Sequence, residues 1–163
     1  MSFVALGLAV LSLLAHPQTK GQAVERHRLE GWTYVVAVDR FTGGRRCEIR
    51  GKAVSIRDGV ATFDFGRRTD TRYAYYRLDD QPPRAAAALA LDLRRAGAPA
   101  VVSDNLKNPS GGLVRMPLAT LLGARRIAIR ADQRRNARVF DLQGLGAAID
   151  AAKAQGCDLQ ART

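Results

Sequence analysis

The stretch from Arg125 to Cys157 constrains this chain more than any other. Arg125-Arg126-Ile127-Ala128-Ile129-Arg130 alternates basic and apolar side chains. At a period of two, this puts Ile127 and Ile129 on a buried face of a strand and the arginines on the opposite one. A polar turn over Ala131 to Asn136 leads to a return strand at Ala137 to Phe140. Asp141 is the expected cap of a following helix, in which Leu142, Leu145, Ile149 and Ala152 recur at roughly helical spacing before Gly156 ends it. Cys157 comes next, and the sole other cysteine is Cys47, so a long-range Cys47–Cys157 disulfide is expected. Two free buried thiols are the competing reading.

A bridge from Cys47 to Cys157 closes a loop of over 100 residues. The chain-entropy model values such a closure at on the order of 4–5 kcal/mol, an upper figure because strain and residual unfolded structure reduce it. Paired thiols persist outside the cytosol and are reduced within it. The two cysteines lack the C-x-x-C spacing of a structural metal site.

The beginning of the chain agrees with an oxidising compartment. Met1 to Ala15 carries no charged side chain, and Phe3 to Leu14 is an apolar core of signal-peptide length. It is shorter than the roughly 20 apolar residues that span a bilayer. Gly21-Gln22-Ala23 offers small residues at the two recognition positions for cleavage. Residues 1–23 are therefore read as a signal peptide and 24–163 as a single exported domain, periplasmic or secreted, with no stable membrane span after cleavage. No Lys or Arg precedes the apolar run, and a buried helix or a membrane-tethered N-terminus is the alternative.

Strands dominate the remainder of the chain. Val24 to Glu30 reads as a frayed polar leader and Trp32 to Val38 as a β-branched and aromatic strand. A turn around Gly43-Gly44 leads to a return strand, Arg46 to Arg50, that carries Cys47. Ala53 to Ile56 and Val60 to Phe65 flank Arg57-Asp58-Gly59, where Asp-Gly supplies the positive φ angles of a tight hairpin. Ala61, Phe63 and Phe65 share its buried face. After a basic turn, Gly66 to Thr71, the strand Tyr73 to Leu78 sets Ala74, Tyr76 and Leu78 against Tyr73, Tyr75 and Arg77. Ala85 to Ala96 predicts a helix ended by Gly97, with Ala86, Leu89, Ala90 and Leu93 as its stripe. Ala98 to Val102 is expected to be a buried strand, Ser103 to Gly112 a loop, Leu113 to Met116 a strand, and Pro117 to Gly123 a short helix. Turns this short join antiparallel strands. The expected class is α+β, an antiparallel β-sheet or sandwich with two or three packed helices and one disulfide. An all-β sandwich bearing peripheral helices is the alternative.

Several of these residues carry a family likeness. Trp32 at the start of the first strand, Cys47 soon after, the strand end Tyr76-Arg77-Leu78-Asp79, Leu121-Leu122-Gly123-Ala124-Arg125 before a strand, and Phe140-Asp141-Leu142-Gln143-Gly144-Leu145 with Ala147-Ala148 and Cys157 resemble the invasion-associated locus B type of proteobacterial periplasmic protein. The likeness covers mainly the last 40 residues, and the segment between Pro82 and Pro117 departs from it by an extra helix and strand. It implies an exported envelope protein and carries over no catalytic residue.

Candidate chemistry is sparse. Beyond the signal segment the one histidine is His27, so no Ser-His-Asp or Cys-His relay can be built around a second. Asp79-Asp80 is an adjacent acidic pair, but neighbours on a strand point to opposite faces, which suits a turn cap better than an acid and base. Asn108-Pro109-Ser110-Gly111-Gly112 is either a plain turn or a nest of N–H groups for an anion, and it lacks the Gly-Lys-Ser/Thr ending of a phosphate loop. No cofactor or metal is expected.

The net charge of +11 gives the surface a positive field that attracts anions, unless arginine here is only a preferred solvated residue. The candidate binding residues are Arg67, Arg68, Arg72, Tyr73, Tyr75 and Arg77, extended by Arg126 and Arg130, with Arg134, Arg135 and Arg138 in the same row, if the two strands are neighbours. The alternative is that the tyrosines lie in the core and the arginines are merely solvated. The functional expectation is a non-enzymatic exported module of the cell envelope whose cationic face meets an anionic component or an envelope protein, nucleic acid being the weaker fit. The alternative is an envelope-modifying hydrolase with a site near Ser110 or Asp79 and Asp80.

Overall fold

The computed structural model describes residues 23–98, 108, 110–157 and 159. In chain order the strands are β1 (Ala23–Leu29), β2 (Trp32–Val38), β3 (Arg45–Gly51), β4 (Val54–Arg57), β5 (Val60–Asp64), β6 (Tyr75–Leu78), β7 (Arg84–Ala85), β8 (Leu113–Pro117), β9 (Arg126–Arg130) and β10 (Arg138–Asp141), with helices α1 (Ala90–Arg95) and α2 (Leu145–Ala154). They form two antiparallel sheets. One runs β1-β2-β3-β4-β5-β8 and the other β10-β9-β6-β7. The class is the expected α+β, with the sheets dominant.

Period-two alternation builds the core. Trp32, Tyr34 and Val36 of β2, Cys47 and Ile49 of β3, Val54 and Ile56 of β4, Ala61 and Phe63 of β5, and Val114 and Met116 of β8 all turn inward. From the second sheet come Tyr76, Ile127, Ile129 and Phe140. Phe63 meets Phe140 edge to face, with ring centroids 4.8 Å apart, which joins the two sheets. The turn between β4 and β5 places Asp58 at φ 48° and Gly59 at φ 75°, the two positive angles that an Asp-Gly hairpin requires.

Helix α2 covers the inner face of β2 and β3 with Leu145, Ala148, Ile149 and Ala152, all buried. Three links fix it there. The Trp32 indole N–H donates to the Gln143 carbonyl at 2.7 Å, Arg45 donates to the Gln155 carbonyl at 2.6 Å, and the Cys47–Cys157 disulfide holds its C-terminal end, with Cα atoms 5.7 Å apart. Outside, Glu48 accepts from Arg50 at 2.7 Å and Arg57 at 2.8 Å, tying β3 to the end of β4.

Three local expectations change. The segment read as a frayed leader is a strand, β1, paired with β2 along its whole length. From Val24 to Leu29 its side chains are exposed or half-buried, because an edge strand is secured by main-chain pairing with one neighbour. The helix expected over Ala85 to Ala96 is shorter: Arg84 and Ala85 pair with β6, Ala86 to Leu89 form a 3₁₀ turn, and α1 begins at Ala90. Strand pairing, continued by the Ala86 N–H donating to the Ala74 carbonyl at 2.8 Å, overrides the alanine-rich helical propensity. Asp141 does not cap α2. The Leu142 N–H donates to the Arg125 carbonyl and prolongs the sheet, the Asp141 carboxylate accepts the Gln143 N–H at 2.9 Å, and the helix starts only after Gly144 at φ 75°.

The expected short helix after Pro117 is a 3₁₀ turn, Leu118–Thr120. The proposed signal segment through Gln22 lies outside the described residues, as do residues 99–102 of the strand proposed at Ala98 to Val102. Among the described residues no helix is long and apolar enough to cross a membrane.

Candidate functional site

The second sheet has one face in the core and one open to solvent, and the pairing register decides what the open face displays. Tyr75 stands opposite Arg130 and Ala85, and Arg77 opposite Ala128, which in turn faces Val139. Directly opposed residues share a face, so Tyr75, Arg77, Arg130, Ala128 and Val139 form one outward surface while Tyr76 and Ile129 point inward. Strands β6 and β9 are thus neighbours, and the two arginine groups are brought together. The Arg130 guanidinium lies 5.9 Å from the centroid of the Tyr75 ring. Tyr73, just before β6, is 71% exposed with Arg72 at 5.8 Å from its ring. Of the three tyrosines here only Tyr76 is a core residue.

The basic turn Gly66 to Thr71 leads through Arg72 and Tyr73 into β6, and a knot of polar side chains holds it. Asn108 Nδ2 donates to the carbonyls of Arg67 and Thr69 at 2.8 and 2.9 Å. Thr69 donates to Phe65, Thr71 to Leu113, and Ser110 Oγ to Asn108 Oδ1 at 2.6 Å. Gly112 permits the close approach, since a Cβ there would run into the Gly66 carbonyl oxygen. Arg67 and Arg68 are left exposed at the tip.

The cations differ in their partners. Arg72 forms a forked pair with Asp70, whose carboxyl is held below the usual range first by that hydrogen bond, and Arg126 pairs with Asp80 at 2.8 Å. Arg67, Arg68, Arg77 and Arg130 have no acidic partner at ion-pair distance among the described residues. Arg138 leaves the row: it lies opposite Ile129, donates to the Asp64 carbonyl, and rests 5.0 and 5.1 Å from the rings of Phe65 and Phe140. Arg134 and Arg135 sit in the turn before β10.

Asp79, at φ 46°, accepts the backbone N–H groups of Arg125 and Arg126 at 3.1 and 3.0 Å, so it fixes the start of β9. A shallow cleft of about 420 Å³ lies beside Asp79 and Asp80. The Ser110 hydroxyl also accepts the Thr71 N–H at 3.3 Å, and the Gly111 N–H donates to the Asn108 carbonyl, so this loop turns its polar groups upon itself. His27 is on β1, stacked 4.6 Å from the Tyr34 ring. Among the described residues no three His, Cys, Asp or Glu side chains converge to hold a metal ion.

Two contributors escape a linear reading. Val139, 66% exposed, supplies apolar surface to the open face, and the alternation of Arg138, Val139 and Phe140 is the signal that locates it. Asn108 positions the basic turn from 41 residues away, and no local pattern announces that. No family model, curated protein or solved structure matches the chain.

Proposed function

We propose that this chain is an exported, non-enzymatic binding module of the cell envelope, and that the open face of the second sheet meets an anionic envelope component. One observation carries the reading: Arg77 and Arg130, without acidic partners among the described residues, share an exposed sheet face with Tyr75 and Val139, and the exposed Arg67, Arg68 and Tyr73 lie on the chain leading into it. Guanidinium groups beside flat rings suit phosphate or carboxylate groups attached to a sugar or lipid, because the ring packs on the carrier while the cation meets the charge. Export is supported by the apolar leader within residues 1–23 and by a disulfide of the kind that persists outside the cytosol. The resemblance to the invasion-associated locus B type, above all in Phe140 to Leu145 with Cys157, supports a periplasmic setting.

Binding to anionic liposomes, to lipopolysaccharide and to an oligonucleotide, each across a salt series, tests this. Affinity for one of the envelope anions should fall steeply as salt rises, and Arg77→Glu with Arg130→Glu should lower it at least about tenfold at low ionic strength. Salt-insensitive binding, or binding to none of the three, removes the proposal. A clear preference for the oligonucleotide replaces it with nucleic-acid recognition.

A further inference from the structure

Away from the open face, a second concavity has a different chemistry. It is a cleft of about 390 Å³ between the C-terminal end of α1, the turn after β8 and the outer edge of α2. Its floor is apolar and fixed: Leu118, Ile149 and Leu159 are each at most 8% exposed. Leu122 stands at the lip, 58% exposed. Among the described residues of the lining, the charged ones are Arg95 and Lys153, both cationic.

The charge is placed asymmetrically. Ile149 and Lys153 are four residues apart on α2 and so lie on one face, one turn separating apolar floor from cation. Lys153 has no acidic partner among the described residues, and Arg95 has only an exposed contact to Asp92 at 3.4 Å, a pair that a better-placed anion displaces at little cost. The partial negative charge at the C-terminal end of α2 is met by Arg45 on the Gln155 carbonyl. Among the described residues, the charges at the mouth, Arg95, Lys153 and the Asp92 beside Arg95, sum to a positive value.

We propose that this cleft binds an amphiphile with a single apolar chain and an anionic head, of the fatty-carboxylate class. The chain lies over Leu118, Ile149 and Leu159, and the carboxylate meets Lys153 and Arg95. The size falls in the range of about 300–1,000 Å³ typical of small-ligand sites, with few polar groups to orient the ligand. A cationic amphiphile fits the same floor and is repelled at the mouth. This site shares no residue with the sheet face, and its failure leaves that reading untouched.

Calorimetric titration of the full chain with octanoate, decanoate and dodecanoate, each below its micelle concentration, provides the test. Affinity should rise about fourfold per methylene until the cleft is filled, with one site per chain. Decanoate should exceed decanol about tenfold at low salt, and dodecyltrimethylammonium should bind more weakly than dodecanoate. Leu122→Glu, at an exposed position, should weaken the carboxylates and decanol. Lys153→Glu with Arg95→Glu should erase the preference for decanoate while decanol still binds, which a misfolded variant cannot reproduce. Arg77→Glu with Arg130→Glu should change nothing. Equal affinity for the carboxylate and the ammonium, no dependence on chain length, or indifference to Leu122→Glu overturns the proposal. So do dimers that Leu122→Glu dissociates and dodecanoate does not, since a second copy would then fill the cleft.

Discussion

Glu48 illustrates how one residue organises a solvent-facing surface. Partial burial on β3 pushes its carboxyl up, but hydrogen bonds and charge from Arg50 and Arg57 outweigh that and leave it below the ordinary value of 4.5. A carboxyl whose folded value is depressed stabilises the native state above its unfolded pKa, and loses that contribution as pH falls through the folded one. Glu48→Gln should therefore cost about 1 kcal/mol at pH 7, a figure suited to a half-buried carboxylate with two partners. Urea denaturation from pH 7 to pH 3 checks this: the gap between the two proteins should be constant above about pH 5 and close as acid protonates Glu48. A gap that widens in acid would refute it. Residue roles of this kind are only partly legible in sequence. Tyr75, Arg77 and Arg130 are found by alternation alone, whereas the pairing of Arg72 with Asp70 and of Arg126 with Asp80 depends on rotamers that no pattern encodes.

At the scale of elements, hairpins are readable because turn residues and alternation agree, as at Asp58-Gly59 between Ile56 and Val60. What hides β1 is that an edge strand is recruited by its neighbour, so Val24 to Leu29 needs no continuous apolar face. The helix expected from Ala85 loses its first residues to β6, a tertiary contact that propensity cannot anticipate. The basic turn is a third case, since what orders it is distant in sequence. Gly112 lies at φ 78° against the Gly66 carbonyl, and the Phe65 N–H donates to Gly112 at 2.9 Å. Gly112→Ala adds both a steric clash with backbone and a strained φ, so it should cost roughly 2–4 kcal/mol and unseat the turn from Asn108. Amide exchange at Thr69 and Thr71 should quicken more than at Ile127 or Ile129 in the core of the second sheet. Uniform quickening across both would show that the turn is not a separate unit.

For the molecule as a whole, the question is what holds a helix at the end of the chain to a sheet formed near its beginning. The α2 helix is only ten residues long, a length that is marginal in isolation, so its persistence depends on docking. Its apolar side chains and the Trp32 and Arg45 hydrogen bonds supply part of that, and the Cys47–Cys157 bridge adds to it by closing a sequence separation of 110 residues, for which the chain-entropy model gives on the order of 4–5 kcal/mol as an upper value. The bridge acts mainly by restricting the unfolded chain, so removing it should lower stability without altering the sheets. Replacing both cysteines with alanine should lower the urea midpoint by an amount equivalent to about 2–4 kcal/mol, with the loss of far-UV signal confined to α2 if the helix undocks before global unfolding. Intact-mass analysis of the protein from its native host, alkylated with and without prior reduction, should find both thiols protected until reductant is added, and the same spectrum reads whether residues 1–23 have been removed. Free thiols in the native protein would leave α2 to its apolar contacts and the Trp32 and Arg45 hydrogen bonds, and would withdraw the main physical support for an oxidising compartment.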